Sequence, residues 1–158
     1  MLRTHTCGQL TVKDVGAKVT LCGWVASRRD HGKIIFIDLR DRYGITQIVF
    51  APDAEKRQVY PHTKNFAVGV YEKAKELGNE YVTLIQGEVN RRPEKTENRK
   101  LPTGEIEVFA AQLTIINSSS NIPFEIKEDI NASGDLRLKY RYLDLRRKRI
   151  LGNLCLRH

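Results

Sequence analysis

An aromatic ring lies among charged residues in the stretch from 23 to 50, where it could hold a nucleobase. Residues 34–40 alternate strictly, and successive strand residues point to opposite faces, so Phe36 shares its face with charged side chains. The other face carries Ile35, Ile37 and Leu39. The preceding basic turn contains Arg28, Arg29, His31 and Lys33. Single-stranded nucleic acid is commonly held by an aromatic ring beside cations. The pattern alone is equally compatible with a Phe that covers the open end of a barrel.

Five strands and a helix are predicted to position these residues. The strands are expected at residues 19–25 running on toward 28, and at 34–40, 45–50, 81–89 and 105–117. Between the third and fourth strands, Asn65 can cap a helix whose Phe66, Val70, Ala74 and Leu77 recur at helical spacing. One or two further helical turns are expected within 53–59, and a short one at 11–15. The sequence therefore predicts a mainly β fold, a five-stranded OB-fold barrel with a helix between strands three and four.

The two loops that flank the binding face of an OB-fold are both basic in this chain. One is the turn around His31, and the other is the segment 91–104, which contains five Lys or Arg against two Glu. An OB-fold binds oligonucleotides on strands two and three between these loops. The order of elements and the placement of charge thus agree, and together they favour a nucleic-acid-binding surface.

Composition limits the other classes of function. The 158 residues carry a formal net charge of +8, and the last 38 residues hold about half of that excess. Three widely separated cysteines and four histidines offer no zinc-ligand spacing, so we expect reduced thiols and no metal site. No basic-then-apolar leader opens the chain, and its apolar runs are short. We therefore expect a cytoplasmic protein without a membrane partner.

The end of the chain differs from the predicted barrel. A polar stretch at 118–121 marks a boundary, which gives a domain at 1–118, a linker at 119–134 and a helical segment at 135–158. The run from 135 to 147 is typical of a solvated, cationic helix face, and Asp144 could cap a further helix that contains Ile150, Leu151 and Leu154. No stop signal closes that helix before His158, so we expect a piece of a longer protein.

Several motifs, taken together, resemble bacterial-type aspartyl-tRNA synthetase, a class II enzyme. They are residues 22–25, 28–32, 35–42, 103–108 and 138–147, together with Gly44 and Gln47. These blocks cover nearly the whole chain and follow the order of the family. The segment Arg141-Tyr142-Leu143-Asp144-Leu145-Arg146 is similar to the subgroup that charges aspartate, asparagine and lysine, and the blocks at 28–32 and 35–42 narrow the resemblance to aspartate.

The resemblance implies an N-terminal anticodon-binding domain, a hinge and the first residues of a catalytic domain. By position, Phe36 would stack on the central anticodon base, Gln47 and Glu107 would bind base edges, and Arg29 and Arg92 would contact the anticodon loop. Arg28 belongs to the same basic motif and is predicted with them. Glu107 alternates with Ile106 and Val108, so its side chain need not be buried.

The parent enzyme would use ATP and magnesium and form a homodimer through its catalytic domain, whereas this chain would hold no catalytic residue and no cofactor. Its partner would be the anticodon loop of tRNA-Asp, and the sequence leaves open whether tRNA-Asn is accepted too. His31 is the residue on which this choice is predicted to depend, because an imidazole can pair with more than one base edge.

The sequence departs from the family pattern at positions in its loops. Ser27 stands where a basic residue is common, and Thr96 where Asn is frequent.

Two other functions are open to a barrel of this kind. A free-standing OB-fold protein that binds single-stranded nucleic acid without sequence preference would need more aromatic residues than Phe36 and Tyr43, and would leave the C-terminal motif unexplained. A barrel that serves only as an interaction scaffold would leave both basic loops unexplained.

Overall fold

The computed structural model describes residues 2–52 and 68–158, which form two compact units. The first unit is Met1–Ser119 and the second is Ser120–His158. In the part of the chain that is described, no helix combines the length and the apolar character needed to cross a membrane.

The first unit is a closed barrel of five strands. These are β1 (Lys18–Asp30), β2 (Ile35–Arg40), β3 (Ile45–Phe50), β4 (Val82–Arg91) and β5 (Ile106–Asn117). Their order around the barrel is β1-β2-β3-β5-β4, in which β3 and β5 pair in parallel and the other pairs are antiparallel. Helix α1 (Val68–Lys75) connects β3 to β4. The predicted OB-fold is confirmed.

One of the predicted short helical features can be checked against this structure. The expected turn near residue 11 is a 3₁₀ helix, Val12–Asp14, which Thr11 caps by accepting a hydrogen bond from the backbone N–H of Lys13. The predicted cap Asn65 and the helical turns expected within 53–59 lie outside the described residues.

The interior of the barrel contains the apolar face predicted from the alternation in β2. Ile35, Ile37 and Leu39 are fully buried there, in one cluster with side chains from every strand. Tyr71, Ala74 and Leu77, from α1 and the residues that follow it, join the same cluster. The opposite face of β2 therefore points away from the core, as the period of a strand requires.

A β-bulge in β1 decides which arginine shares the outer face of β2. The register against β2 shifts between Val25 and Ser27, so one residue of β1 has no counterpart. Val25 pairs with Leu39 on the core side, whereas beyond the bulge Arg29 pairs with Phe36 on the outer side and Arg28 pairs with Ile37. One extra residue in a strand exchanges the faces of everything that follows it.

The second unit contains three short helices: α2 (Gly134–Lys139), α3 (Arg141–Asp144) and α4 (Lys148–Arg157). Asp144 is the last residue of α3, and its fully buried carboxylate forms ion pairs with Arg147 at 2.8 Å, Arg137 at 3.2 Å and Arg141 at 3.5 Å. The prediction that Asp144 caps the next helix is wrong, because Arg147 occupies that position. The expected solvated cationic face is also incomplete, since Arg147 is buried against this carboxylate.

Candidate nucleic-acid interface

A pocket of about 310 Å³ opens on the outer face of the barrel, beside the β1–β2 turn and the β4–β5 loop. Its lining residues are Arg29, His31, Phe36, Gln47, Arg92, Thr96 and Asn98. A concave site of this size suits one small group such as a nucleobase. The pocket thus joins residues that are far apart in the sequence, and five of them are residues predicted to bind the anticodon.

Phe36 forms an aromatic part of the pocket wall. Its ring is half-buried and lies 5.7 Å from the ring of His31, edge-on at an interplanar angle of 78°. It packs with Val49 and Phe109 in a small apolar cluster that is separate from the barrel core. Phe36 therefore lies on the outer face of the sheet, which is the position needed for stacking on a base.

Beside this ring, a hydrogen-bonded network joins side chains from four strands, β1, β2, β3 and β5. Arg29 donates through Nη2 to Asp38 Oδ1 at 2.8 Å and to Gln47 Oε1 at 3.2 Å. Gln47 in turn donates through Nε2 to Glu107 Oε2 at 2.7 Å. The cation on its oxygen and the anion on its nitrogen both fix the same orientation of the Gln47 amide.

Burial of this network differs from the expectation for Glu107. The Glu107 side chain belongs to the outer face, yet the residue is only 1% exposed, and Gln47 beside it is 8% exposed. The alternation of a strand gives the face of a residue but not what covers it, and here Gln47 of β3 contacts the carboxylate from the neighbouring strand. A buried carboxylate needs hydrogen-bond donors, and Gln47 supplies one.

Arg92 lies at the beginning of the β4–β5 loop and is held against β5. Its backbone N–H donates to Glu105 O at 3.0 Å, and its side-chain Nε donates to Ile106 O at 2.9 Å. The residue is 6% exposed. Arg92 thus lines the pocket as an anchored group next to Glu107, rather than as a mobile surface cation.

Arg28 and Glu107 are the two predicted site residues that do not line the pocket, and Glu107 is bonded to it through Gln47. Arg28 pairs with Ile37 in the strand register, and its Nη2 donates to Asp30 Oδ2 at 3.1 Å. The alternation of the strand separates Arg28 from Arg29, and the bulge decides which of the two lies on the outer face. From the sequence alone, that choice between two adjacent arginines could not be made.

Sequence analysis did not include Thr96 and Asn98 among the site residues. Thr96 Oγ1 donates to Pro93 O at 2.7 Å, and Asn98 Oδ1 accepts from the backbone N–H of Lys100 at 3.1 Å. These local bonds fix two polar side chains of the β4–β5 loop at the pocket. The sequence did indicate something unusual at position 96, because Thr96 stands where Asn is frequent in the family.

The β1–β2 turn, which carries His31, is tied to helix α1. The Tyr71 hydroxyl donates to Gly32 O at 2.6 Å, and Tyr71 itself is buried. Gly32 has a φ of 75°, a left-handed conformation that glycine adopts without strain. The His31 N–H closes the turn by donating to Ile34 O at 2.9 Å. Helix α1 therefore supports one rim of the pocket.

No metal centre is found in the described ranges, 2–52 and 68–158: they contain no group of three or more His, Cys, Asp or Glu residues that could hold an ion. The chemistry offered by the pocket is stacking, hydrogen bonding and charge. These are the interactions with which a protein recognises a single-stranded base.

Comparison with known proteins gives a consistent result. A family model described as "OB-fold nucleic acid binding domain" matches residues 19–116. The chain is 52% identical over 156 residues to the aspartate–tRNA(Asp/Asn) ligase of Halothermothrix orenii and 49% identical over 156 residues to that of Methylacidiphilum infernorum. Each match covers 99% of this chain and 24% of the relative, so the chain spans about a quarter of the length of these proteins.

A solved structure extends the similarity to three dimensions. The asparaginyl-tRNA synthetase from Pyrococcus horikoshii matches with a TM-score of 0.69 and 33% sequence identity. The match covers 92% of this chain and 30% of that one.

Proposed function

The chain belongs to the OB-fold nucleic acid binding domain family, and we propose that it binds the anticodon loop of a transfer RNA as the N-terminal part of an aspartate–tRNA ligase. The observation that carries the proposal is the pocket, in which Arg29, His31, Phe36, Gln47 and Arg92 meet on the outer face of β2 and β3. Relatives about half identical over nearly the whole chain are ligases of this kind, which supports it further.

In this proposal, Phe36 stacks on the central anticodon base and Glu107 binds the first base, guanine. A carboxylate can accept from both N1–H and N2–H of guanine, a pairing that no other standard base offers in the same geometry. Because Glu107 is buried behind the Gln47 amide, the base reaches it only by displacing Gln47, and guanine can do so because its two donors replace the one that Gln47 supplies. Arg92 and Arg29 contact the anticodon loop, Arg29 from its place beside Asp38.

The proposed substrates are tRNA-Asp and tRNA-Asn, whose anticodons differ in the third base. His31 lies at the rim of the pocket, edge-on to Phe36. An imidazole can donate or accept a hydrogen bond, so it can pair with either third base. A parent enzyme with His31 in this position would therefore aspartylate both tRNAs.

We assign the remaining functions of the parent by region. Residues 1–118 bind the anticodon, 119–134 form a hinge, and 135–158 begin a catalytic domain through which the cytoplasmic parent forms a homodimer. In this proposal, ATP and magnesium bind in the catalytic domain of the parent. The chain alone would not catalyse aminoacylation.

Generic binding of single-stranded nucleic acid is not favoured by the geometry. Sequence-tolerant sites present a series of aromatic rings on which successive bases stack. The pocket here contains Phe36 and His31, and its other lining groups are polar. Tyr43 is exposed in the β2–β3 turn, between the guanidinium groups of Arg3 and Arg42, and does not line the pocket.

The test is a binding titration with short RNA hairpins. One hairpin carries the aspartate anticodon, a second has adenine in place of its first base, and a third has the asparagine anticodon. The 158-residue chain should bind the first hairpin about 1–3 kcal/mol more tightly than the second, the usual discrimination of a single base contact. It should bind the third nearly as well as the first, because His31 accommodates both.

The variant Glu107→Gln should abolish most of the preference for guanine, since it removes the acceptor and the charge. Glu105→Gln is the matched control: it makes the same change at an exposed residue directly before β5 and should keep the preference. Equal affinity of the wild type for all three hairpins and for a scrambled loop of the same length would refute anticodon recognition.

A further inference from the structure

Asp38 is a charged residue of β2 that does not line the pocket but is bonded to it. On the outer face of the sheet it pairs in register with Ser27 of β1 and with Gln47 of β3. Its two carboxylate oxygens have separate donors: Ser27 Oγ at 2.6 Å on Oδ2 and Arg29 Nη2 at 2.8 Å on Oδ1. The Ser27 hydroxyl therefore holds the Asp38 carboxylate in place, and the carboxylate in turn holds the guanidinium of Arg29.

Arg29 needs such a partner because its side chain is long and 48% exposed. An unrestrained arginine can sample many rotamers, and fixing them costs about 2 kcal/mol of entropy. The same Nη2 that donates to Asp38 also donates to Gln47 Oε1 at 3.2 Å. Asp38 thus keeps the guanidinium over the Gln47 amide, and Nε and Nη1 of Arg29 make no hydrogen bond to the described residues.

The charges alternate along this path, from Asp38 through Arg29 and the Gln47 amide to Glu107. Each step uses a donor and an acceptor of opposite polarity, so the orientation of one group depends on the next. A change at Asp38 would reach Glu107 through two intervening side chains, although Asp38 itself does not contact the pocket.

We propose that Asp38 is a positioning residue for base selection, which acts by holding Arg29 against Gln47. It thereby keeps the Gln47–Glu107 pair selective for the first base. It also keeps Arg29 from acting as a general phosphate-binding cation. The inference rests on the proposed function of the pocket. Without the Asp38 charge, Arg29 turns to the RNA backbone, which binds any loop sequence equally. Affinity for mismatched loops then rises while discrimination falls.

The experiment compares the affinities of the 158-residue chain for the aspartate hairpin and for the hairpin whose first base is adenine. Asp38→Asn should lower the ratio of these affinities about tenfold, the effect of one charge-assisted hydrogen bond. It should do so mainly by tightening binding of the mismatched hairpin. Ser27→Ala, which removes only the neutral donor to Asp38, should lower the ratio in the same direction by a smaller factor.

The control is Asp30→Asn, which makes the same change in charge. Asp30 does not line the pocket; its Oδ2 accepts from Arg28, and its Oδ1 accepts from the Gly32 N–H, a bond that the amide oxygen of an asparagine can keep. The loss of its charge can therefore strengthen binding of every RNA but should leave the ratio unchanged. In an Arg29→Ala background, Asp38→Asn should have no further effect on the ratio, because its influence passes through Arg29. Thermal unfolding of each variant shows whether the barrel is intact.

Two results would overturn the inference: an unchanged ratio in both Asp38→Asn and Ser27→Ala, or a loss in Asp38→Asn that persists in full without Arg29. Either result would leave the proposed function standing as long as the wild type prefers the aspartate hairpin. A wild type that binds both hairpins equally would instead refute the proposed function, and this inference with it.

Discussion

Each unit of this chain contains a cluster of arginines and carboxylates, and the two clusters are built differently. Around Asp144, three arginines converge on one fully buried carboxylate. Arg147 also donates to Lys127 O and Glu128 O, so that each of its three guanidinium nitrogens has an acceptor. Around Arg29, one cation contacts two acceptors, stays half-exposed and borders a pocket.

The difference distinguishes a structural cluster from a binding one. Hydrogen bonds from Arg137, and then from Arg147, hold the pKa of Asp144 below its ordinary value of 3.8, so that cluster stays charged and closed. The Arg29 cluster keeps donors for a ligand, and its carboxylates restrain the cation without saturating it. A closed cluster contributes to stability, and an open one contributes to recognition.

The largest expected effect comes from breaking the closed cluster with Arg147→Ala. The change removes the nearest and most buried partner of the Asp144 carboxylate and leaves Arg137 and Arg141, and breaking a buried ion pair costs up to about 3–5 kcal/mol. Amide hydrogen exchange should therefore accelerate throughout 141–157 while β2 and β3 keep their protection. Hairpin binding should not change.

Arg149→Ala is the matched control, because its side chain is exposed on the same helix and its loss should cost less than about 0.5 kcal/mol. Faster exchange in the barrel, or weaker hairpin binding by Arg147→Ala, would contradict a purely structural role for this cluster.

A smaller effect, on binding instead of stability, is expected for Phe36→Ala. Loss of one base–aromatic stack should weaken hairpin binding by about 1–3 kcal/mol. Because Phe36 is half-buried in a small outer cluster, the melting temperature should fall much less than for Ile37→Ala, which empties a site in the core. Tyr43→Ala, an exposed ring in the β2–β3 turn, should leave binding unchanged. A collapse of stability in Phe36→Ala, with binding per folded molecule intact, would make Phe36 a packing residue.

The smallest effect is expected for Tyr71→Phe, which removes the hydroxyl that donates to Gly32 O. A neutral hydrogen bond contributes about 1 kcal/mol, so the β1–β2 turn should loosen without unfolding. The amide of His31 should exchange faster, and binding of the aspartate and asparagine hairpins should weaken to a similar extent. Tyr81→Phe provides the control, as no hydrogen bond of its hydroxyl is found within the described part of the chain. Unchanged exchange at His31 would show that α1 does not support this rim.

The barrel could be predicted because its signals are local. The alternation of apolar residues in β2 determines which side faces the core, and Ile35, Ile37 and Leu39 are all buried as expected. Bounds of β3 at Ile45–Phe50 also match, since a turn and Pro52 delimit that strand. Period and turn chemistry are properties of neighbouring residues, and a single sequence contains them.

The site could be predicted only in part, because its details depend on residues distant in the sequence. The burial of Glu107 depends on contact with Gln47 from another strand, sixty positions earlier. Asp144 was predicted to cap a helix because an aspartate before a helix is a common N-cap, yet its carboxylate forms ion pairs with three arginines instead. The loop residues Thr96 and Asn98 reach the pocket through the fold of the β4–β5 loop, which no periodicity describes.

The bulge between Val25 and Ser27 makes the two halves of β1 respond differently to a change in length. Pairing counted back from the β1–β2 turn places Arg29 opposite Phe36, and the extra residue at the bulge absorbs the difference from the Val25–Leu39 pair. A strand without that extra residue would lose the bulge and still keep Arg29 opposite Phe36. A deletion between Arg29 and the turn would instead bring Arg28 opposite Phe36. Selection on the binding face should therefore act on the count of residues between Arg29 and the turn, whereas length can vary at the bulge.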